Sequence, residues 1–479
     1  MTGLDPDNWD DLRRLGHRMI DDMVDRLATL RDGPVWRPMP AAVRAALHEP
    51  LPTGPTAPEK LYEHFRERIV PYATGNTHPG FMGWVHGGGT GVGMLAELLA
   101  GGLNANCGGR DHAPVEIERA VIGWAARIMG FPDETTGLLV TGSSMANMIA
   151  VVTASRAVPD GLALRREGVG GRRLVGYAAA TAHGCIARAF DLTGLGTDAL
   201  RVLPVDADHR MDLAALRAAI AADRAAGLEP FIVIGTAGTV DTGAIDDLDG
   251  IADIAAREGL WFHVDGAFGA LAMLSPALRS SLRGLERADS LAFDFHKWAQ
   301  VPYDAGCILV RTPGRQAAAF AQSLAYLSRE DRGLAGNAPW FCDLGPDLSR
   351  GFRALKVWMT LGTYGTDRMG LMVDECCAVA GHLARRVDAE PLLERLAPVG
   401  LNIVCFRVRV PGVDLDWLNG ELVKDLHESG AAAPSTTTVA GVRAIRAAIV
   451  NHRTVAADAD AMIDALLRLL AERLEAVAG

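Results

Sequence analysis

From about residue 81 to 350 the chain alternates short apolar runs with Ala-rich stretches of helical spacing. The runs are GLLVTG (137–142), RRLVGYAA (172–179), RVLPVD (201–206), FIVIGTAG (231–238), LWFHVD (260–265), SLAFDF (290–295) and GCILV (306–310). Strands separated by helices predict a mostly parallel sheet covered on its faces, here by helices near 115–130, 145–157, 184–193, 212–226 and 248–258. Upstream, Trp9, Leu12, Leu15, Ile20, Met23, Leu27 and Leu30 recur at helical spacing, predicting an amphipathic helix over 8–30 capped by Asp5 or Asp7. The Pro-rich segment 33–58 cannot continue it. Past 350 a helical stretch gives way to LNIVCFRVRV, LNGELVKDLHESG, VRAIRAAIV and a final helix from about 454. The expected organisation is an arm (1–80), a large α/β domain (81–350) and a smaller α+β domain (351–479).

Composition narrows the function. The 479 residues are 49% hydrophobic and 22% charged, and 47 Lys and Arg against 58 Asp and Glu give a formal charge of −11. That balance disfavours nucleic acid and anionic membranes as partners and favours a small molecule. Seven cysteines without a CxxC pair point to a reducing compartment, and the acidic N-terminus has neither the basic start nor the apolar core of a signal peptide. No stretch has the ~18 uncharged apolar residues of a membrane span. The chain is expected to be cytoplasmic.

Candidate chemistry sits where strands end, which is where open parallel sheets bind ligands. In TGSSMAN (141–147) a strand end, a Gly turn and a helix start bring Ser143 and Ser144 to a helix N-terminus, either as phosphate donors or merely as helix caps. Asp265 ends the LWFHVD run, where a carboxylate needs a partner; HxD also resembles a metal pair, but no further ligands lie at zinc-like spacing. His296 and Lys297 follow SLAFDF, and a lysine beside a sheet interior is partly desolvated and nucleophilic towards a carbonyl. His183, in YAAATAHGCIARA, can stack on a flat ring or cap a helix. Phosphate cradle, strand-end carboxylate, stacking imidazole and amine together are the parts needed for pyridoxal 5'-phosphate.

With these pieces in order, the sequence resembles the group II pyridoxal-phosphate decarboxylases, the family of aromatic-L-amino-acid, histidine and glutamate decarboxylases. The resemblance rests on DFHKW (294–298), HVDGAFG (263–269), TAHG (181–184), THPGFMGW (77–84), SRGFRALKVW (349–358) and IRAAIVNHRT (445–454). It implies the aspartate aminotransferase-like fold type I, a homodimer with its active site at the subunit interface, and an arm wrapped over the partner. By position, Lys297 would be the Schiff-base lysine, Asp265 the partner of the pyridine nitrogen, His183 the residue stacked on the ring and Ala267 the packing on its other face. Ser143, Ser144 and His296 would bind phosphate, with Thr239 of GTAGTVDTGAID nearby. His86 and Gly87 would meet the substrate carboxylate.

The implied reaction is decarboxylation of an L-amino acid, aromatic by family frequency, to the amine and CO2. Two departures bear on it. LNANCGGRDHAP (103–114) places Asn106, Gly108 and Arg110 where many relatives have apolar residues, so Arg110 either meets a second acidic group or pairs with Asp111 or Glu116. A loop tyrosine usually protonates the carbanion in such decarboxylases, and phenylalanine there accompanies oxidative conversion to an aldehyde. Counting back from SRGFRALK puts that position near Phe341, with Tyr326 the nearest upstream tyrosine. Other readings are an aminotransferase, with Arg446 and Arg453 available for the α-carboxylate, and a carbon–carbon lyase. A nicotinamide dehydrogenase is a weaker fit, because VHGGGTGVGMLAELL lacks GxGxxG.

Overall fold

The structure, a computed structural model, describes residues 3–322 and 328–478. Every apolar run singled out above is a strand. β1 is Phe81–Met82, β2 Thr136–Val140, β3 Leu174–Ala179, β4 Leu200–Leu203, β5 Glu229–Thr236, β6 Trp261–Asp265, β7 Ser290–Asp294 and β8 Gly306–Val310. Strands β2 to β8 form one seven-stranded sheet in the order β2-β8-β7-β6-β5-β3-β4. β4, β3, β5, β6 and β7 run parallel, whereas β8 is antiparallel to both its neighbours β2 and β7. The α/β architecture of fold type I is therefore present, with one reversed strand.

Period-two alternation decides which helices cover which face. Leu139, Val233, Phe262, Val264, Leu291, Phe293 and Leu309 pack into one apolar cluster with helices Ala113–Ile128, Leu213–Ala225 and Leu248–Glu258. Their strand neighbours Leu138, Val140, Ile232, Ile234, Ala292 and Ile308 face helices Ser143–Ala157 and Cys185–Leu192. Burial on both faces is why the runs are continuously apolar.

Four C-terminal strands, β9 (Leu393–Arg395), β10 (Ile403–Val408), β11 (Ala433–Val439) and β12 (Val442–Ala448), build a second sheet. Its fifth member is β1, which pairs in parallel with Ala433 and Pro434 of β11. The THPGFMGW segment thus belongs to the C-terminal sheet, and this pairing carries Trp84 and His86 over the end of the large sheet. Between the two sheets runs helix Ala354–Asp388, broken at Gly365, whose φ of 70° lies in the left-handed region that glycine tolerates. The first helix spans Trp9–Ala28 and its cap is Asn8, whose side chain accepts the Asp10 N–H, rather than Asp5 or Asp7.

Candidate active site

Parallel β5, β6 and β7 end side by side, at Thr236, Asp265 and Asp294. Their carboxyl ends open into a cavity of about 380 Å³, within the range of about 300–1,000 Å³ usual for small-molecule sites. Its walls bring together His86, Ser143, Ser144, His183, Asp265, Ala267, His296 and Lys297 from five separate stretches of sequence. Residues not singled out from the sequence also line it: Trp84, Cys185, Thr236, Phe268, Asp294 and Tyr303.

At one end, Gly142 caps helix Ser143–Ala157 without a side-chain hydrogen bond. Neither serine caps it from within. Instead the Ser143 N–H donates to Asp294 Oδ1 at 2.7 Å and its hydroxyl donates to Asp294 Oδ2 at 2.6 Å. Lys297 Nζ lies 2.9 Å from the same Oδ2. His296 is buried, which pulls its pKa down against the pull of Asp294. Its Nδ1 accepts the Ala305 N–H at 3.0 Å, so the neutral ring carries its proton on Nε2, 3.8 Å from Asp294.

Across the cavity Asp265 is 2% exposed, and its carboxylate accepts one hydrogen bond among the described residues, from the Ala267 N–H at 3.2 Å. Burial pushes its carboxyl above the usual range, against the attraction of Lys297 and then His183. Beneath it on the same strand face, His263 is wholly buried between Ser290 Oγ at 2.8 Å and Asn147 Oδ1 at 2.7 Å. Asn147 in turn donates to Cys185 Sγ. His263 is thus a strut under Asp265 and not half of a metal pair. His183 presents its ring at the cavity, with Nδ1 accepting the Cys185 N–H at 3.2 Å.

An aromatic rim borders the opening. Tyr303 lies against His296, with ring centroids 4.3 Å apart, and meets His86 edge-on at 5.9 Å; Trp84 stacks on His86 at 5.7 Å. Burial, then Lys297, lowers the His86 pKa, leaving an uncharged ring beside the amine.

Several expected residues lie elsewhere. Thr239 is buried with its hydroxyl engaged by Thr242 and by the Ala244 N–H; from this stretch it is Thr236 at the end of β5 that lines the cavity, and its buried hydroxyl has no partner among the described residues. Gly87 backs the wall, where a Cβ would fall 2.4 Å from the carbonyl oxygens of His296 and Lys297. Asn106 is exposed, its Oδ1 accepting the N–H groups of Gly108 and Arg350. Arg110 pairs with neither Asp111 nor Glu116 but lies over the Trp340 ring at 4.9 Å. Phe341 is buried under the Arg350 guanidinium. Tyr326 lies outside the described residues. Arg446 bonds the carbonyls of Trp84 and Asp241, and Arg453 those of Gly88 and Gly89. No arginine of this chain lines the cavity among the described residues.

This set suits pyridoxal 5'-phosphate. Lys297 offers the amine, Asp265 a carboxylate for the ring nitrogen, Thr236 an unpartnered buried hydroxyl, and the Ser143–Ser144 turn a helix N-terminus for phosphate.

Comparison with known proteins agrees. The model of the pyridoxal-dependent decarboxylase conserved domain matches residues 40–409. An aromatic-L-amino-acid decarboxylase of Bacillus atrophaeus is 31% identical, the match covering 93% of this chain and 92% of that protein. A phenylacetaldehyde synthase of Arabidopsis thaliana is 28% identical over 93% of each chain. The crystal structure of Oryza sativa TDC with PLP and tryptamine superposes with a TM-score of 0.89 at 27% identity, covering 98% of this chain and all of that one. Strand-end lysine and carboxylate, fold and full-length similarity lead to one conclusion: this chain belongs to the pyridoxal-dependent decarboxylase family and is a pyridoxal-phosphate-dependent carboxy-lyase.

Proposed function

We propose that the substrate is an aromatic L-amino acid, released as its amine and CO2. The observation that carries this reading is the aromatic rim of Trp84, His86 and Tyr303 beside Lys297, on a cavity lined by no arginine among the described residues. Such a rim favours a flat side chain and gives a substrate carboxylate an environment of low charge, in which loss of neutral CO2 is favoured. The relatives named for aromatic substrates support it.

When bound, pyridoxal phosphate supplies an electron sink for the pair left by the departing CO2. The residues of this chain tune and enclose it. Asp265 would hold a proton on the pyridine nitrogen, and the charge met there would offset the burial that otherwise disfavours its ionised form. Lys297 would hold the aldehyde end of the cofactor and carry protons at Nζ. His183 and Ala267, both lining the cavity, would pack against the ring. Ser143, Ser144 and His296 Nε2 would hold the phosphate, with Thr236 the hydroxyl from β5, while Trp84 and Tyr303 border the opening.

The working unit is a homodimer. Leu98, Leu99 and Leu103 of helix Gly91–Leu103 and Trp9 and Leu12 of the first helix are all exposed in the single chain, a pattern that marks an interface. Asn106 and Arg110, outside this chain's own cavity, follow that helix and belong to the same boundary. Among the described residues no helix is long and apolar enough to cross a membrane, and all seven cysteines are unpaired, which fits a cytoplasmic enzyme.

The test is product analysis with tyrosine, tryptophan, phenylalanine and their hydroxylated forms. One CO2 and one amine per turnover, with no keto-acid requirement, is the expected result. Turnover of only acidic or aliphatic amino acids overturns the substrate class. Aldehyde with hydrogen peroxide would instead establish the chemistry named for the phenylacetaldehyde synthases.

A further inference from the structure

The helix N-terminus that should cradle a phosphate already holds an anion from its own chain. Asp294, 1% exposed at the end of β7, accepts both the N–H and the hydroxyl of Ser143 and lies 2.9 Å from Lys297 Nζ. These are two of the donors expected for phosphate and the amine expected for the aldehyde. The packing around it leaves little slack. Gly306 approaches so closely that a Cβ there would fall 2.4 Å from the Gly142 Cα. A second anion entering this turn meets a buried carboxylate at close range, and like charges in such a place repel strongly.

We propose that Asp294 is an internal anion that occupies the phosphate cradle and pairs with Lys297 in the cofactor-free chain, so that cofactor binding must displace it from Ser143. It is a positioning residue that sets the cofactor's affinity. Through these contacts it holds the helix N-terminus and the lysine in place, as a capping carboxylate does. On loading, Ser143 and Lys297 exchange one anionic partner for the phosphate and aldehyde of the incoming group, at the cost of leaving Asp294 beside a phosphate.

The inference rests on the placement of the phosphate at Ser143 and Ser144, and the experiment separates the two ideas. Dissociation constants for pyridoxal phosphate and for pyridoxal, which lacks the phosphate, are measured on the apoprotein and on Asp294→Asn, Asp294→Ser and Asp294→Glu. The preference for pyridoxal phosphate over pyridoxal should rise about tenfold or more in the Asn and Ser variants, where the like charge is gone, and stay unchanged in Glu. Agreement of two neutral variants of different shape guards against a misfolded one. An unchanged or reduced preference in both overturns the proposal and makes Asp294 a plain helix cap. The reading of the site is checked separately by borohydride reduction and mass mapping. Label on Lys297 in wild type and variants alike supports that reading; label elsewhere removes it, whatever the affinities do.

Discussion

Asp265 does two things that pull in opposite directions. Burial raises its pKa, so in the cofactor-free chain the charged form is disfavoured. For an acid whose folded pKa lies above its unfolded value, stability falls as pH rises through that range, and the loss persists at neutral pH. Asp265→Asn removes the cost, so the apoprotein's thermal midpoint at pH 7 should stay level or rise, while kcat/KM drops about a hundredfold or more because an amide cannot hold the pyridine proton as an ion pair. Thermal scans and rates on the same preparation check both; full activity in this variant would remove Asp265 from the mechanism. That the lysine, this aspartate and His183 share one cavity is legible in the sequence, because each follows an apolar run and strand ends in parallel sheets are where ligands bind. Asp294 was overlooked because its importance depends on which helix start lies opposite, information that only the antiparallel β8 and its contact with Gly142 provide. Thr239 was the wrong threonine of three in GTAGTVDTG: β5 stops at Thr236, and Thr239 turns away to close its own loop.

Among elements, the buried hydrogen-bond chain from Ser290 through His263 to Asn147 and Cys185 ties β7, β6 and helix Ser143–Ala157 into one block under the site. Asn147 donates to sulfur through Nδ2, so its oxygen faces His263, which must carry its proton on Nε2 and accept from the Ser290 hydroxyl at Nδ1. Burial lowers its pKa from 6.5 to about 3, outweighing the Ser290 carbonyl 3.1 Å from Nδ1. Below pH 6.5 the unfolded chain gains a proton here that the folded chain refuses, so stability falls with acid by about 1.4 kcal/mol per pH unit from this group, until the folded form titrates near 3. Urea unfolding from pH 7 to 4 should show a pH slope shallower by about one proton in His263→Gln than in wild type. Equal slopes would mean that the ring is protonated in the folded block. The seven strands and their helices were readable from the alternation of apolar runs, whereas the two-residue β1 was not, since its partner lies some 350 positions away in β11. The reversal of β8 was equally hidden, because a strand buried on both faces has the same apolar pattern in either direction.

For the whole molecule the open question is what covers the apolar surface. Helix Gly91–Leu103 begins at Thr90, whose side chain caps it through the Gly93 N–H, and packs against helix Ala354–Asp388 with Ala96 fully buried. Its opposite side leaves Leu95, Leu98, Leu99 and Leu103 between 38% and 64% exposed. A chain that stayed single would have no reason to present four leucines on one helix just before the Asn106–Arg110 turn. Because these side chains are already exposed, Leu98→Glu with Leu99→Glu should leave the folded chain and its cofactor cavity intact while burying two unpaired carboxylates in any interface. Sedimentation should give a dimer for wild type and a species of half that mass for the double variant, with activity recovering only as protein concentration is raised. A wild type that sediments as a fully active single chain would refute the dimer, and a dimeric, fully active variant would place the interface on another face. Loss of activity in parallel with loss of the dimer would show that the cavity built by one chain is closed by a second.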